Sequence, residues 1–259
     1  MSKNRTTGSR DERQAGTRRT RRRWFAVAGV GVAVVLAAGI GVGVGAGLAH
    51  DHAPSDQDAG PVVPAHTSGD GSTIVYGARD AVTNVDVYED MRCPFCAKFE
   101  KKLGPELQSM ADSGKVKITF HMAAFLDGSL GGQGSKTSLA ALGAALDESP
   151  KKFKAYHDVL FAHQPEESAD DFGNTATLRK LADQVPGLRT SAFDKAVTEG
   201  TYLPWAAKVA DAFTRSGVQG TPTVTVHGRS LTVVGDDGEA VSPRKFRDEV
   251  DDAVAAASS

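Results

Sequence analysis

The sequence predicts one α/β domain with an inserted block of helices, carried behind a transmembrane helix and a disordered linker. Three observations predict this organisation. A stretch without any ionisable group, residues 24–49, follows a basic tail. Beyond it, strand-like alternation marks both ends of the chain and helical spacing fills the middle. The two cysteines of the chain, Cys93 and Cys96, lie where a strand pattern passes into a helix pattern.

The charges of the chain are strongly segregated. Residues 1–23 hold nine basic and two acidic side chains, a net charge of +7, whereas the whole chain carries −2. The rest of the chain therefore carries a net charge of −9. A negative charge of this size does not indicate a nucleic-acid-binding surface, which is usually basic. We predict that residues 1–23 form a cytoplasmic tail, since basic flanks stay on the cytoplasmic side of a membrane.

Residues 24–49 predict an uncleaved signal anchor. They exceed the roughly 20 apolar residues that a helix needs to cross a bilayer, and the apolar core of roughly 7–15 residues in a secretory signal peptide. Two alternatives stay open. The small residues Gly-Leu-Ala at 47–49 would suit cleavage and secretion, and Arg-Arg-Trp-Phe at 22–25 loosely resembles a twin-arginine export signal. All three place the rest of the chain outside the cytoplasm.

Residues 50–71 are rich in Pro, Gly, Asp, Ser and His. Such a run cannot bury enough apolar surface to offset its ordering entropy, so it predicts a disordered linker. The remaining residues, 72–259, have the size of one domain with room for a sizeable core.

The domain opens with strand patterns. Alternating runs at 72–76 and 81–88 predict the first two strands, and apolar residues at helical spacing begin after Pro94. The Gly-Pro pair at 104–105 predicts a kink or a break in that helix. A further alternating run at 116–120 predicts the next strand.

A long helical region follows. Its predicted segments lie near residues 137–146, 151–161, 177–184 and 191–217. Runs at 223–227 and 231–234, joined by a turn at Gly228-Arg229, then predict a β-hairpin. The Ser-Pro pair at 242–243 is a typical helix start and predicts a final helix over 244–255.

The cysteine pair is the strongest chemical signal. With no third cysteine, the pair can bridge itself or exchange with another protein's disulfide, but it cannot link distant parts of the fold. Cys93 stands at a helix start, where free N–H groups and the helix dipole stabilise a thiolate, and Arg92 adds positive charge. We predict that Cys93 has a lowered pKa and acts as the nucleophile. Pro94 suits the first turn because its missing N–H would be unpaired there.

Other interpretations of the pair stay open. A zinc site would need two further ligands, and neither His121 nor His227 has the paired spacing, so we predict no metal. A purely structural disulfide in a short loop is a second interpretation. The residues between the cysteines, Pro94-Phe95, and the position of the pair at a helix start disfavour it. A binding module or chaperone with an inert disulfide is a third interpretation.

Taken together, three features resemble the DsbA-like branch of the thioredoxin superfamily. They are the Cys-x-x-Cys at a strand-to-helix junction, the helical block, and Thr221-Pro222 leading into a strand. The resemblance extends over roughly residues 72–256. It implies a thioredoxin fold whose helical subdomain is inserted at about 129–217.

The resemblance also assigns roles to individual positions. It matches Cys93 to the exposed attacking cysteine and Cys96 to the resolving one. It matches Thr221-Pro222 to the cis-proline loop, which lies against the active-site sulfurs and presents backbone groups to an extended substrate. These two residues are therefore the expected substrate-binding positions.

The chain departs from the family pattern in two places. Many strongly oxidising members have His where this chain has Phe95, so the expected potential lies between the DsbA example, about −120 mV, and the thioredoxin example, about −270 mV. Several relatives carry a buried acid where this chain has Val87, and strand alternation points Asp86 to the opposite face. Asp90 matches an Asp common ahead of the motif, and we predict that it caps the helix.

The resemblance implies an extracytoplasmic thiol–disulfide oxidoreductase that exchanges a Cys93–Cys96 disulfide with client proteins. Oxidation is favoured because disulfides persist outside the cytoplasm, and a reductase or isomerase is the alternative. No cofactor is expected, and the family implies a quinone-linked membrane oxidase as redox partner. His121 and His157 are expected to be partly buried or surface residues rather than bases, and Trp205 to be a core residue.

Overall fold

A computed structural model of the protein describes residues 60–257. The predicted cytoplasmic tail, residues 1–23, and the predicted membrane segment, residues 24–49, lie outside the described residues. None of the helices formed by residues 60–257 combines the length and the apolar character that a bilayer crossing requires.

A six-stranded sheet forms the centre of the domain, in the order β1-β2-β4-β3-β5-β6. The strands are Thr67–Ser68 (β1), Thr73–Gly77 (β2), Thr83–Asp90 (β3), Val116–Ala123 (β4), Thr223–Val226 (β5) and Arg229–Ser230 (β6). β3 and β4 run parallel, whereas the other neighbouring strands are antiparallel. The register places Val87 of β3 between Phe120 of β4 and Val224 of β5. Strand β3, which leads into the cysteines, is thus bonded on both sides.

Helices surround this sheet and fill the gap between β4 and β5. They are Pro94–Asp112 (α1), Phe125–Leu130 (α2), Gly134–Glu148 (α3), Pro150–Ala162 (α4), Thr175–Ala182 (α5), Ser191–Glu199 (α6), Leu203–Arg215 (α7) and Pro243–Ala257 (α8), with a 3-10 turn at Asp171–Gly173. The block from α2 to α7 lies within a few residues of the predicted insertion. The predicted α/β class with a helical insertion is confirmed.

Strand β3 shows why the alternating pattern was informative. Val85 and Val87 are fully buried, whereas the intervening Asp86 and Tyr88 are partly exposed. Successive strand side chains point to opposite faces of a sheet, so the valines face one helical layer and the polar residues face the other side. The alternation therefore fixes which face of the strand lies beneath the cysteines.

Secondary structure in the described part of the chain includes residues before the predicted domain boundary. The predicted linker extended to residue 71, but Thr67–Ser68 forms β1 against the edge of β2, and the carbonyl of Gly71 accepts a 2.7 Å hydrogen bond from Nε1 of Trp205. Composition did not reveal this because strand pairing at a sheet edge uses backbone groups, which polar residues carry as well as apolar ones. Residues 50–59 lie outside the described part.

Helix α1 runs through the Gly104-Pro105 pair, so of the predicted kink or break, the break is wrong. Proline within a helix removes one backbone donor, and here the helix continues over 19 residues. Gly104 has a specific packing reason: a Cβ there would lie 2.5 Å from Oε2 of Glu100, one turn earlier. The glycine makes room for a buried carboxylate rather than ending the helix.

The predicted hairpin is present with a different second strand. His227 and Gly228 both have positive φ, 51° and 78°, the combination that defines the tight two-residue turn favoured in hairpins. Pairing therefore resumes at once at Arg229–Ser230, not after a turn at Gly228-Arg229. The predicted strand at 231–234 is not part of this pairing. The N–H of Leu231 still donates to the carbonyl of Val224 at 2.9 Å, and Val234 forms an isolated bridge with Ala240.

Trp205 is a core residue, as predicted, with no exposed surface. It packs so closely on α3 that a Cβ on Gly143 would lie 2.7 Å from Cζ3 of its ring and 3.1 Å from Cβ of Tyr202. We expect Gly143→Ala to lower the free energy of unfolding by about 1–3 kcal/mol through overpacking. Chemical denaturation would measure this. Gly128→Ala in α2, where the added methyl meets nothing within 4 Å, is the matched control; equal midpoints for both variants would contradict the prediction.

Candidate active site

Cys93 is the N-cap of α1, and its sulfur accepts a 3.4 Å hydrogen bond from the N–H of Cys96. Its backbone is extended, with φ −74° and ψ 117°, and Pro94 occupies the start of the helix. The Cys93 N–H in turn donates to the carbonyl of Asp90 at 2.9 Å. The first unpaired donors of the helix are thereby directed at the Cys93 sulfur, where they favour the thiolate.

The prediction that Asp90 caps this helix is wrong, because Cys93 itself is the N-cap. The buried Asp90 carboxylate accepts hydrogen bonds from the N–H of Arg92 (3.0 Å), the hydroxyl of Ser135 (2.6 Å) and the N–H of Leu126 (3.2 Å). Burial raises the pKa of Asp90 in spite of these bonds. Asp90 therefore ties the turn before the cysteines to α2 and α3.

The two sulfurs differ in accessibility. Cys93 retains 5% of its surface and Cys96 none, and both are free thiols. The Cys93 thiol donates a 3.3 Å hydrogen bond to the carbonyl of Thr221, and the Thr221–Pro222 peptide is cis. The loop expected beside the cysteines does contact Cys93. It also covers much of that sulfur, which is less exposed than the resemblance implied.

The two thiols also differ in acidity. The hydrogen bond from the Cys96 side chain outweighs partial burial and lowers the pKa of Cys93 to about 7, with further help from the Thr221 side chain and the Cys96 N–H. Burial raises the pKa of Cys96 well above its ordinary range. Since the thiolate is the nucleophile, Cys93 is active near neutral pH while Cys96 keeps its proton.

Arg92 does not supply the positive charge that we predicted for Cys93. Its buried guanidinium donates from Nη1 to Asp127 (3.1 Å) and to the carbonyl of Gly131 (2.7 Å), and from Nη2 to the carbonyl of Glu167 (3.1 Å). The positive charge of Arg92 is thus paired with groups of the helical insertion and not with the Cys93 sulfur. Arg92 therefore anchors the turn that carries Cys93 instead of activating its sulfur.

Phe95 forms part of a hollow beside the cysteines. Its ring is 44% exposed, and Nζ of Lys98 lies 5.4 Å from the ring centroid. The hollow has a volume of about 390 Å³ and its lining includes Phe95, Pro222, Leu231, Val233 and Asp236. The segment that left the predicted hairpin therefore forms one wall of this hollow.

A buried ionisable cluster lies on the α1 and α4 side of the sheet. Glu89 of β3 and His157 of α4 are fully buried, and Oε2 of Glu89 lies 2.9 Å from Nε2 of His157. Glu89 stands two residues beyond Val87, on the same strand face and nearer to the cysteines. Glu89 was not predicted, because the buried acid of the family matches residue 87. His157 is fully buried, contrary to the prediction, whereas His121 is partly buried as predicted.

The charges within this cluster compensate one another. Burial and the neighbouring Glu100 raise the pKa of Glu89. Burial opposes the charged form of His157, but Glu89 and Glu100 outweigh it and raise the pKa of that imidazole. Oε2 of Glu100 lies 3.7 Å from the buried ammonium of Lys154. The donor atoms of Glu89, Glu100 and His157 lie within 4.8 Å of one another, a spacing that could hold a metal ion. However, the Lys154 ammonium already supplies a cation to the cluster, and Glu89 already occupies Nε2 of His157. We therefore interpret the cluster as a hydrogen-bonded ion network.

Comparison with known proteins gives consistent matches. Residues 69–252, which include both cysteines and Pro222, match the family model described as thioredoxin. Disulfide bond formation protein D of Bacillus subtilis (strain 168) is 26% identical over 166 residues, 64% of this chain and 72% of that protein. Reduced DsbA from Mycobacterium tuberculosis is 27% identical with a TM-score of 0.58, covering 71% of this chain and 93% of that one. Oxidised BdbD from Bacillus subtilis shares the fold, with a TM-score of 0.59, 22% identity, and coverage of 75% and 99%.

Proposed function

We propose that this chain works outside the cytoplasm as a dithiol oxidase. It belongs to the DsbA-like branch of the thioredoxin superfamily and is a protein-disulfide oxidoreductase. One observation carries the proposal. The Cys93 sulfur has a lowered pKa at the start of α1, lies beside the shielded Cys96, and contacts the Thr221 carbonyl. This arrangement gives one attacking sulfur and one resolving sulfur.

The oxidising cycle moves two electrons from the client to the enzyme. A client thiolate attacks Cys93 in the Cys93–Cys96 disulfide, and Cys96 leaves with the electron pair and takes up a proton. A second client thiolate then attacks the client sulfur of the mixed disulfide, which forms the client disulfide and releases Cys93 as a thiolate. The reduced pair must afterwards pass its electrons to an acceptor. We propose a quinone-linked membrane oxidase as that partner.

The hollow beside the cysteines supports binding of an extended client segment. Its wall combines Phe95 with Pro222 and Leu231, so it offers apolar surface next to the reacting sulfur. Backbone groups at Thr221 offer hydrogen bonds of the kind that add a peptide strand to a binding protein. We therefore propose Thr221 and Pro222 as the client-binding positions, with the client cysteine over Cys93.

The extracytoplasmic location is part of the proposal. It rests on the apolar stretch at residues 24–49 behind a basic tail, as an uncleaved anchor or, alternatively, as a cleaved export signal. Disulfides persist in oxidising compartments and are rare in the cytosol. An exported member of this family therefore encounters clients whose disulfides last.

A reductase or isomerase of the same fold is the second candidate, because a pKa of about 7 for Cys93 equals the thioredoxin example. The reduction potential of the full-length chain, equilibrated in glutathione buffers, separates the two. We expect a value above about −210 mV, the reducing end of the range for an oxidising compartment. A lower value, with no net oxidation of a reduced unfolded client, would favour the reductase.

A further inference from the structure

Cys96 poses a proton-transfer problem that the exposed side of the active site does not solve. It has no accessible surface, and burial keeps its thiol protonated. When the reduced pair is reoxidised through a mixed disulfide at Cys93, Cys96 must lose that proton before it can attack. A partner bound over Phe95 and Pro222 would then cover the open side, so the proton needs another route.

Glu89 is the member of the buried cluster that lies towards the cysteines along the chain. It stands on β3 four residues before Cys93, and its charge opposes ionisation of the Cys96 thiol. Oε1 of Glu89 is buried without a hydrogen-bond partner among the described residues. The other carboxylate oxygen meets Nε2 of His157 at 2.9 Å. A proton that leaves Cys96 for Glu89 is therefore one hydrogen bond away from an imidazole.

The far side of the imidazole lies near a carboxylate that reaches the surface. Nδ1 of His157 is buried and has no hydrogen-bond partner among residues 60–257. It lies 3.6 Å from Oδ1 of Asp158 and 3.9 Å from Oε2 of Glu100. The Asp158 side chain is 41% exposed. His157 thus stands between a fully buried carboxylate and one that reaches the surface.

A hollow opens at this point of the surface. It has a volume of about 300 Å³, and Glu100, Pro105, Asp158 and Phe161 contribute to its lining. None of its lining residues is shared with the hollow at Phe95. Pro105 lies twelve residues beyond Cys93 along α1, or about 18 Å at the helical rise, so a partner over the sulfurs would leave this hollow open.

Charged side chains and aromatic rings surround the His157 imidazole. The charged groups that face the imidazole are Glu89 from β3, Glu100 from α1, and Lys154 and Asp158 from α4. Three aromatic rings also pack around it: the rings of Phe120, Phe153 and Phe161 have centroids 5.0, 5.7 and 4.9 Å from that of the imidazole.

We propose that His157 is a positioning and relay residue that passes the Cys96 proton from Glu89 to the hollow at Asp158. This inference rests on the proposed function. In reoxidation, Oε1 of Glu89 takes the proton from Cys96. The His157 imidazolium, whose Nε2–H stays bonded to Oε2 of Glu89, releases its Nδ1 proton to Asp158 or to water in the hollow. The Cys96 thiolate then attacks Cys93, and the partner leaves as a thiolate. Client oxidation reverses the route and returns one proton to Cys96.

The test uses the full-length reduced chain in detergent with the aromatic disulfide DTNB. Attack by Cys93 releases one thionitrobenzoate ion and leaves a mixed disulfide, and attack by Cys96 releases the second. Raising the DTNB concentration accelerates the first release but not the second, which is intramolecular, so rapid mixing separates the two rates. We expect His157→Gln to leave the first release unchanged and to slow the second by about 10²-fold near neutral pH, the scale of general acid–base effects.

The pH profile separates a relay from a structural role. Hydroxide can replace the relay as the pH rises, so the deficit of His157→Gln should shrink at alkaline pH. A second release within twofold of the wild-type rate, or a deficit that is equal at every pH, would overturn the relay. If His157→Gln does not fold, Asp158→Asn at the exposed end of the path should slow the second release with the same pH trend, and its absence would be equally decisive.

His121→Gln is the matched control. His121 also meets a carboxylate, with Nε2 2.8 Å from Oδ1 of Asp86, but it stands on the opposite face of the sheet, so both releases should match wild type. The outcome also separates the two proposals. A wild-type chain that releases no second thionitrobenzoate would overturn the proposed function and the relay together. Normal wild-type release with an unaffected His157→Gln would overturn the relay alone.

Discussion

Replacing Cys93 with serine should reduce the oxidation of a reduced client to the uncatalysed rate. The variant loses the sulfur that has the lowered pKa and that forms the mixed disulfide, and a serine hydroxyl cannot take part in thiol–disulfide exchange. The measurement is the rate at which a reduced, unfolded secreted protein regains its disulfides in the presence of the oxidised chain. We expect no acceleration over buffer.

Cys96→Ser is the informative companion, since it retains the attacking sulfur and lacks the resolving one. Reaction of its Cys93 thiolate with a client disulfide should accumulate mixed disulfides that disappear on reduction and are visible on non-reducing gels. Client folding that continues unchanged with Cys93→Ser would instead identify a binding module or chaperone, the interpretation in which the cysteines are inert.

Arg92→Met should destabilise the domain by about 3–5 kcal/mol, the range for breaking one partner out of a buried ion pair. The Arg92 and Asp127 side chains are 2% and 5% exposed, so the variant leaves the Asp127 carboxylate buried without its cation. The carbonyls of Gly131 and Glu167 also lose their donor. Chemical denaturation of the full-length chain, followed by the fluorescence of buried Trp205, measures the change.

Arg247→Met provides the matched control for that experiment. Arg247 forms a two-pronged ion pair with Glu106, with both contacts at 2.6 Å, but its side chain is half exposed. Exposed ion pairs contribute little because water and salt screen them. An equal loss in the free energy of unfolding in both variants would contradict the prediction, because it would show that burial of the Arg92 ion pair does not increase its contribution to stability.

Local sequence patterns were sufficient to predict the role of the cysteine pair, the strand beneath it and the helix that follows. Cys93 at the start of a helix, the alternation of Val85 and Val87, and Thr221-Pro222 before a strand are each visible within a few residues. The chemistry of these positions depends on neighbours along the chain, which is why periodicity and spacing predicted them.

The buried ion network was not predictable in this way, because its members are far apart in sequence. Glu89 and His157 are 68 residues apart, and the contacts of Arg92 lie 35 to 75 residues away. Charged residues are usually exposed, so the expected partial exposure of His157 and the expected charge of Arg92 at the sulfur were reasonable and wrong. The Gly104 position held a local signal, since a glycine one turn after Glu100 leaves space for its carboxylate.

The pH dependence of alkylation at Cys93 tests the central claim most directly, that one activated sulfur lies beside one shielded sulfur. The reduced full-length chain is treated with iodoacetamide from about pH 5 to about pH 10, and each cysteine is quantified by mass. We predict that the rate at Cys93 rises with pH around a midpoint of about 7 and then levels off, while Cys96 stays nearly unreactive. A Cys93 midpoint at the ordinary thiol value of about 8.5, or two cysteines that react alike, would contradict it.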